Sequence, residues 1–94
     1  MTKKTLPLDP ADYIETPEDV ALFVEAAFAD GTAVEIAHAL GTVARSKGMA
    51  ILAQQTGLSR QALYKALGEE GNPTLDTLLK VIRALGLKLV PEAA

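Results

Sequence analysis

Met49-Ala-Ile-Leu-Ala-Gln-Gln-Thr-Gly-Leu-Ser-Arg-Gln-Ala-Leu-Tyr-Lys-Ala-Leu67 breaks at Gly57 into two short helical stretches. The segment reads as a helix-turn-helix, with helices over about 49–56 and 60–67. Leu52 and Ala53 lie where the first helix must meet the second, and Ala53 is small enough to allow a close approach. Gly57 supplies the positive φ that a sharp turn needs. Leu58 follows as the buried anchor of the turn, and Ser59 fits the N-cap of the second helix. Leu63, Ala66 and Leu67 form the inner face of that helix, which leaves Arg60, Gln61, Tyr64 and Lys65 on the outer one. Arg bridges guanine, Gln bridges adenine, and Lys and Tyr hold phosphate. The segment therefore predicts DNA binding. Paired helices around a glycine also occur in plain bundles; the Gly57-Leu-Ser-Arg60 turn, with small Ala53 four residues before Gly57, favours the DNA-binding reading over that one.

The rest of the chain fits an all-α domain. Thr16-Pro17-Glu18-Asp19 starts a helix with a Thr cap, Pro at the first helical position and acids in the first turn. Val20, Phe23, Val24, Ala27 and Phe28 give it an apolar stripe, and Gly31 ends it. Thr32-x-x-Glu35 is a capping box for a second helix. Its inner face is Ala33, Ile36, Ala37, Leu40 and Ala44, and Gly48 closes it. After the loop Gly68–Pro73, Thr74 caps a last helix with Leu75, Leu78, Leu79, Ile82 and Leu85 inward. Leu87-Lys-Leu-Val90 alternates briefly and is a candidate short C-terminal strand, one that needs a partner to form. The expected organisation is an extended arm over 1–15 and one five-helix domain over 16–94.

Composition narrows the function. Of the 94 residues, 49% are hydrophobic, yet only two Phe and two Tyr are aromatic, so the core must be aliphatic. With no cysteine there is no disulfide and no thiolate site. Lys3 and Lys4 precede no apolar run, so no secretory signal is expected, and no segment approaches a membrane span. A cytoplasmic location follows as the expectation. Net charge is −3, but it is unevenly placed. Residues 1–35 hold eight acids and two bases, a balance of −6; residues 36–94 hold seven bases and four acids, a balance of +3. A basic reading head behind an acidic front is compatible with salt-sensitive DNA binding.

No catalytic or metal constellation emerges. His38 falls on the polar face of its helix without partner ligands. Glu69 and Glu70 are adjacent turn residues that diverge into water, unlike a catalytic carboxylate pair. Ser59 has no base near it in sequence, and capping accounts for it. Neither an enzyme nor a cofactor site is expected. Two readings of Tyr64 stay open, a DNA contact or packing on a neighbouring helix.

Gly57-Leu-Ser-Arg-Gln-Ala-Leu-Tyr-Lys-Ala-Leu67, Glu70-Gly-Asn-Pro-Thr74 and Leu78-Leu-Lys-Val-Ile-Arg-Ala-Leu-Gly-Leu-Lys-Leu89 together resemble the addiction-module antidote (HigA-type antitoxin) family, small Xre/Cro-like DNA-binding proteins. Asp12-Tyr-Ile-Glu-Thr-Pro-Glu-Asp-Val-Ala21, Ala26-Ala-Phe-Ala-Asp-Gly31 and Val43-Ala-Arg-Ser-Lys-Gly-Met49 extend the similarity over about residues 12–90. The resemblance implies an Xre/lambda-repressor-like fold. It also implies a type II toxin–antitoxin role: neutralising a small basic RelE/ParE-like toxin and repressing its own operon at operator DNA. On the family pattern Ser59, Arg60, Gln61, Tyr64 and Lys65 lie on the recognition helix, and Asn72 in a loop that approaches phosphate. Leu67 stands where the broader Xre pattern often has Glu, and Ala66 replaces a larger aliphatic. A stand-alone Xre-type repressor without a toxin is the alternative, and a protein-interaction module with a vestigial helix-turn-helix is a third. Either repressor reading predicts a homodimer on a palindrome, because one short helix reads only a few base pairs.

Overall fold

In the computed structural model, which describes residues 14–94, five helices follow one another: α1 (Pro17–Asp30), α2 (Ala33–Lys47), α3 (Met49–Thr56), α4 (Arg60–Ala66) and α5 (Leu75–Ala84). Most of the expected arm, residues 1–13, lies outside the described residues. Ile14, assigned to that arm by the sequence, is buried with the core, and its carbonyl accepts a hydrogen bond from Ser46 Oγ (3.2 Å).

Local chemistry sets the helix starts. Thr16 Oγ1 accepts from Asp19 N (3.1 Å), while the Asp19 carboxylate accepts from Thr16 N (3.0 Å), making a capping box with Asp in the usual Glu position. Thr32 and Glu35 form the second box. Thr74 Oγ1 accepts from Thr77 N (3.2 Å) at the head of α5. These bonds satisfy backbone donors that the first helical turn leaves without partners.

The core is aliphatic, as composition requires. Val20 and Val24 of α1, Leu40 and Val43 of α2, Leu52 of α3, Leu63 of α4, and Val81, Ile82 and Leu85 of α5 meet in one cluster. Each fully buried Leu or Ile contributes about 1.5–3 kcal/mol relative to exposure. α2 packs against both α1 and α3, and α3 in turn carries α4 and α5.

Three further sequence expectations need correction. Ala33 and Leu75 were expected on buried stripes but are exposed, Leu75 to 67%. Each is the first residue of its helix, and a stripe is buried only where another helix covers it. The α5 stripe actually runs Leu78, Val81, Ile82, Leu85. The third correction concerns Leu87–Val90: among the described residues there is no strand. Gly86, at φ +82, turns the chain so that Gly86 N donates to Arg83 O and Leu87 N to Ile82 O (3.0 Å each). This is a Schellman cap. It uses the Leu87 donor and packs Leu87 on the core, while Leu89 and Val90 remain exposed without a partner strand.

Candidate nucleic-acid interface

The segment read as a helix-turn-helix folds as α3, a turn over 57–59, and α4. Gly57 adopts the left-handed conformation (φ 78, ψ 7), and its N–H donates to Ala53 O (2.9 Å). Thr56 adds a device the sequence reading missed. Its hydroxyl donates to Leu52 O (2.8 Å) and accepts from Leu58 N (3.2 Å), tying the end of α3 to the turn. A Thr directly before a helix-ending Gly is the available signal, since short hydroxyl side chains bond the local backbone. Leu58 is only half-buried, a looser anchor than expected, but it packs on the core.

Ser59 caps α4: its Oγ accepts from Ala62 N (2.9 Å). With Leu63 fully buried and Leu67 nearly so, the rotation of α4 about its axis is fixed. Arg60, Gln61, Tyr64 and Lys65 consequently all point to solvent. Tyr64 is 51% exposed, so about half its surface is available. Arg60–Tyr64 and Gln61–Lys65 are each one turn apart, giving two parallel rows on a helix roughly 10 Å long.

Asn72 is exposed in the loop between α4 and α5, two residues before the Thr74 cap. Gly71 N donates to Gly68 O (3.0 Å), closing that loop into a tight turn. Gly71 is buried, and a Cβ there would run into the backbone of Ala66. The loop therefore folds directly onto the end of α4. The sequence reading did not single out Gly71, and only its place in a Gly-rich loop hinted at it.

The cations of this face are uncommitted among the described residues. Among the described residues, Arg60 and Lys65 have no ion-pair partner; the pair within α5, Lys80–Asp76 (3.0 Å), is exposed. Two guanidinium or ammonium heads, an amide and a phenol on one exposed helix face are donors suited to phosphate oxygens and base edges. Among the described residues no group of three or more His, Asp and Glu is arranged to hold a metal ion. None of the helices there is long and apolar enough to cross a membrane.

A family model described as a probable addiction module antidote protein matches residues 4–93. The chain belongs to that antidote family. A relative from Haemophilus influenzae, described as an uncharacterized protein, is 36% identical over 88 residues, covering 94% of this chain and 91% of its own. No solved structure matches the chain. The antidote family thus spans all five helices, the α3–α4 unit included.

Proposed function

We propose that this antidote-family chain is the DNA-binding antitoxin of a type II toxin–antitoxin module. It represses its own operon through α3 and α4 and neutralises a toxin of RelE/ParE type. The carrying observation is the α4 face, where buried Leu63 and Leu67 aim Arg60, Gln61, Tyr64 and Lys65 outward with no intramolecular ion pair among the described residues to occupy the cations. The sharp turn between α3 and α4 within an all-helical, five-helix chain is compatible with the Xre-type domain this reading invokes. Arg60 and Gln61, at the start of α4, read base edges, as recognition helices do with their N-terminal residues. Lys65, Asn72 and the Ser59 hydroxyl hold the backbone, and Tyr64 flanks them. Two copies act together on a palindrome, in the cytoplasm and without catalysis. Membership of an antidote family favours this reading over a stand-alone repressor.

The test is a titration of the purified chain against the DNA upstream of its own gene, beside an unrelated duplex, at about 50 and about 200 mM salt. Selective binding that weakens with salt is expected. Equal, weak binding to both duplexes refutes autorepression by this chain alone.

A further inference from the structure

An open groove of about 1030 Å³ runs along the seam of α1 and α2 and reaches the loop after α4. Its floor and walls include the half-buried ring of Phe23, with Ala39 and exposed Val34. Its rim is acidic and drawn from three places in the chain: Asp30 at the end of α1, Glu35 in the first turn of α2, and Glu69 with Glu70 in the loop. Arg45 is the one guanidinium on the lining, which also includes His38, so the lining holds four carboxylates and one Arg. Glu35 also accepts from Thr32 N (2.8 Å), which fixes its position. Among the described residues, Asp30, Glu69 and Glu70 have no ion-pair partner.

We infer that this groove is the docking surface for a cationic, arginine-bearing segment of the toxin partner. Charge complementarity selects that occupant. A duplex is repelled by four carboxylates. A second copy seated with the same face would set acid against acid, and one seated with its basic face would make a heterologous, head-to-tail contact in place of the two-fold dimer the repressor reading needs. An Arg side chain satisfies both parts of the groove. Its head pairs with the rim carboxylates, and its flat guanidinium and stem lie on the Phe23 ring and the Val34–Ala39 wall.

This inference rests on the antitoxin reading, and the experiment separates the two. The probe is the purified product of the gene adjacent to that of this chain, titrated calorimetrically at two salt concentrations. The triple variant Asp30→Asn, Glu69→Gln, Glu70→Gln removes rim charge. Val34→Lys adds a like charge to the wall while leaving the rim intact, and tests the groove even if the triple variant folds poorly. Glu25→Gln with Glu92→Gln, acids outside the groove, is the control. The triple variant is expected to bind on the order of tenfold more weakly, with a shallower salt dependence. Val34→Lys should weaken binding too, the control should match wild type, and all should keep operator affinity. Wild-type affinity in both groove variants overturns the groove and leaves the antitoxin reading standing. No binding by the wild-type chain overturns both. A changed oligomeric state with unchanged affinity assigns the groove to a copy–copy contact and overturns the inference as well.

Discussion

Gly41 sits in the middle of α2, where helix propensity alone favours Ala by about 0.5–1 kcal/mol. The structure predicts the opposite effect of Gly41→Ala. A Cβ at Gly41 would lie 2.5 Å from the carbonyl oxygen of Leu67, the C-cap of α4. Ordinary contact begins near 3.4 Å, so the backbones must separate by several tenths of an ångström. The obstacle is backbone, not the tip of a flexible side chain, and Leu67 is itself buried. Overpacking of this kind costs about 1–3 kcal/mol, which exceeds the propensity gain over most of that range. A net loss of about 1–2 kcal/mol corresponds to roughly 5–15 °C in Tm for a domain of this size. Gly57→Ala is the instructive comparison. No atom lies within 4 Å of a Cβ there, but φ is +78, so only the left-handed backbone penalty of about 1–2 kcal/mol applies. Thermal melts of both variants, with Gly57→Asn as a partial rescue of the turn, separate crowding from backbone conformation. A rise in Tm for Gly41→Ala would refute the close α2–α4 approach.

Further outcomes follow from the α4 face. Arg60→Ala and Gln61→Ala should each weaken operator binding by about 1–3 kcal/mol and relax preference at one base position, read by titrating a panel of single-base operator variants. Lys65→Ala should weaken all duplexes alike and lower the salt slope by about one, which a salt series on specific and unrelated DNA checks. Ser59→Ala removes the cap on Ala62 N and should cost about 1 kcal/mol in denaturant unfolding, whereas Ser59→Asp should retain most of it.

The sequence exposed those parts of the fold that rest on local chemistry. Thr16, Thr32, Ser59 and Thr74 are all N-caps, and each was recognisable from a hydroxyl residue ahead of a periodic run. Gly57 was equally legible, because a sharp turn between two short helices demands positive φ. Features that depend on which helix covers which were harder to read. Gly41 looks like an ordinary weak spot in a helix until α4 is placed against it. Val81 belongs to the stripe at full burial, yet its side chain is no more apolar than that of exposed Leu75. The alternation of Leu87–Val90 suggests a strand, but Gly86 commits the Leu87 donor to the helix cap first. Within the α4 face, residue identity was enough to nominate Arg60, Gln61, Tyr64 and Lys65. That they share one solvent-facing side follows from burial of Leu63 and Leu67, which the spacing already implied.

The acidic front and basic back of the sequence do not map onto two separate halves in space. Glu69 and Glu70 come from the basic half, yet line the groove with Asp30 and Glu35 of the acidic half. They also share a loop with Asn72, one of the residues nominated for DNA. That loop lies close against the end of α4: a Cβ at Gly68 would lie 2.7 Å from Tyr64 O, and one at Gly71 would run into the Ala66 backbone. The acids of the groove and the residues that end α4 thus share one short loop. Gly71→Ala is the sharpest probe of this connection. The added methyl has only backbone to displace, so the loop must lift from α4, moving Asn72 and the two acids together. Operator affinity and affinity for the adjacent-gene product should both fall, each by several-fold or more, in a variant whose far-UV circular dichroism remains helical. Loss of one affinity with the other intact would show that the loop does not join the two surfaces, and that the DNA face and the groove act independently.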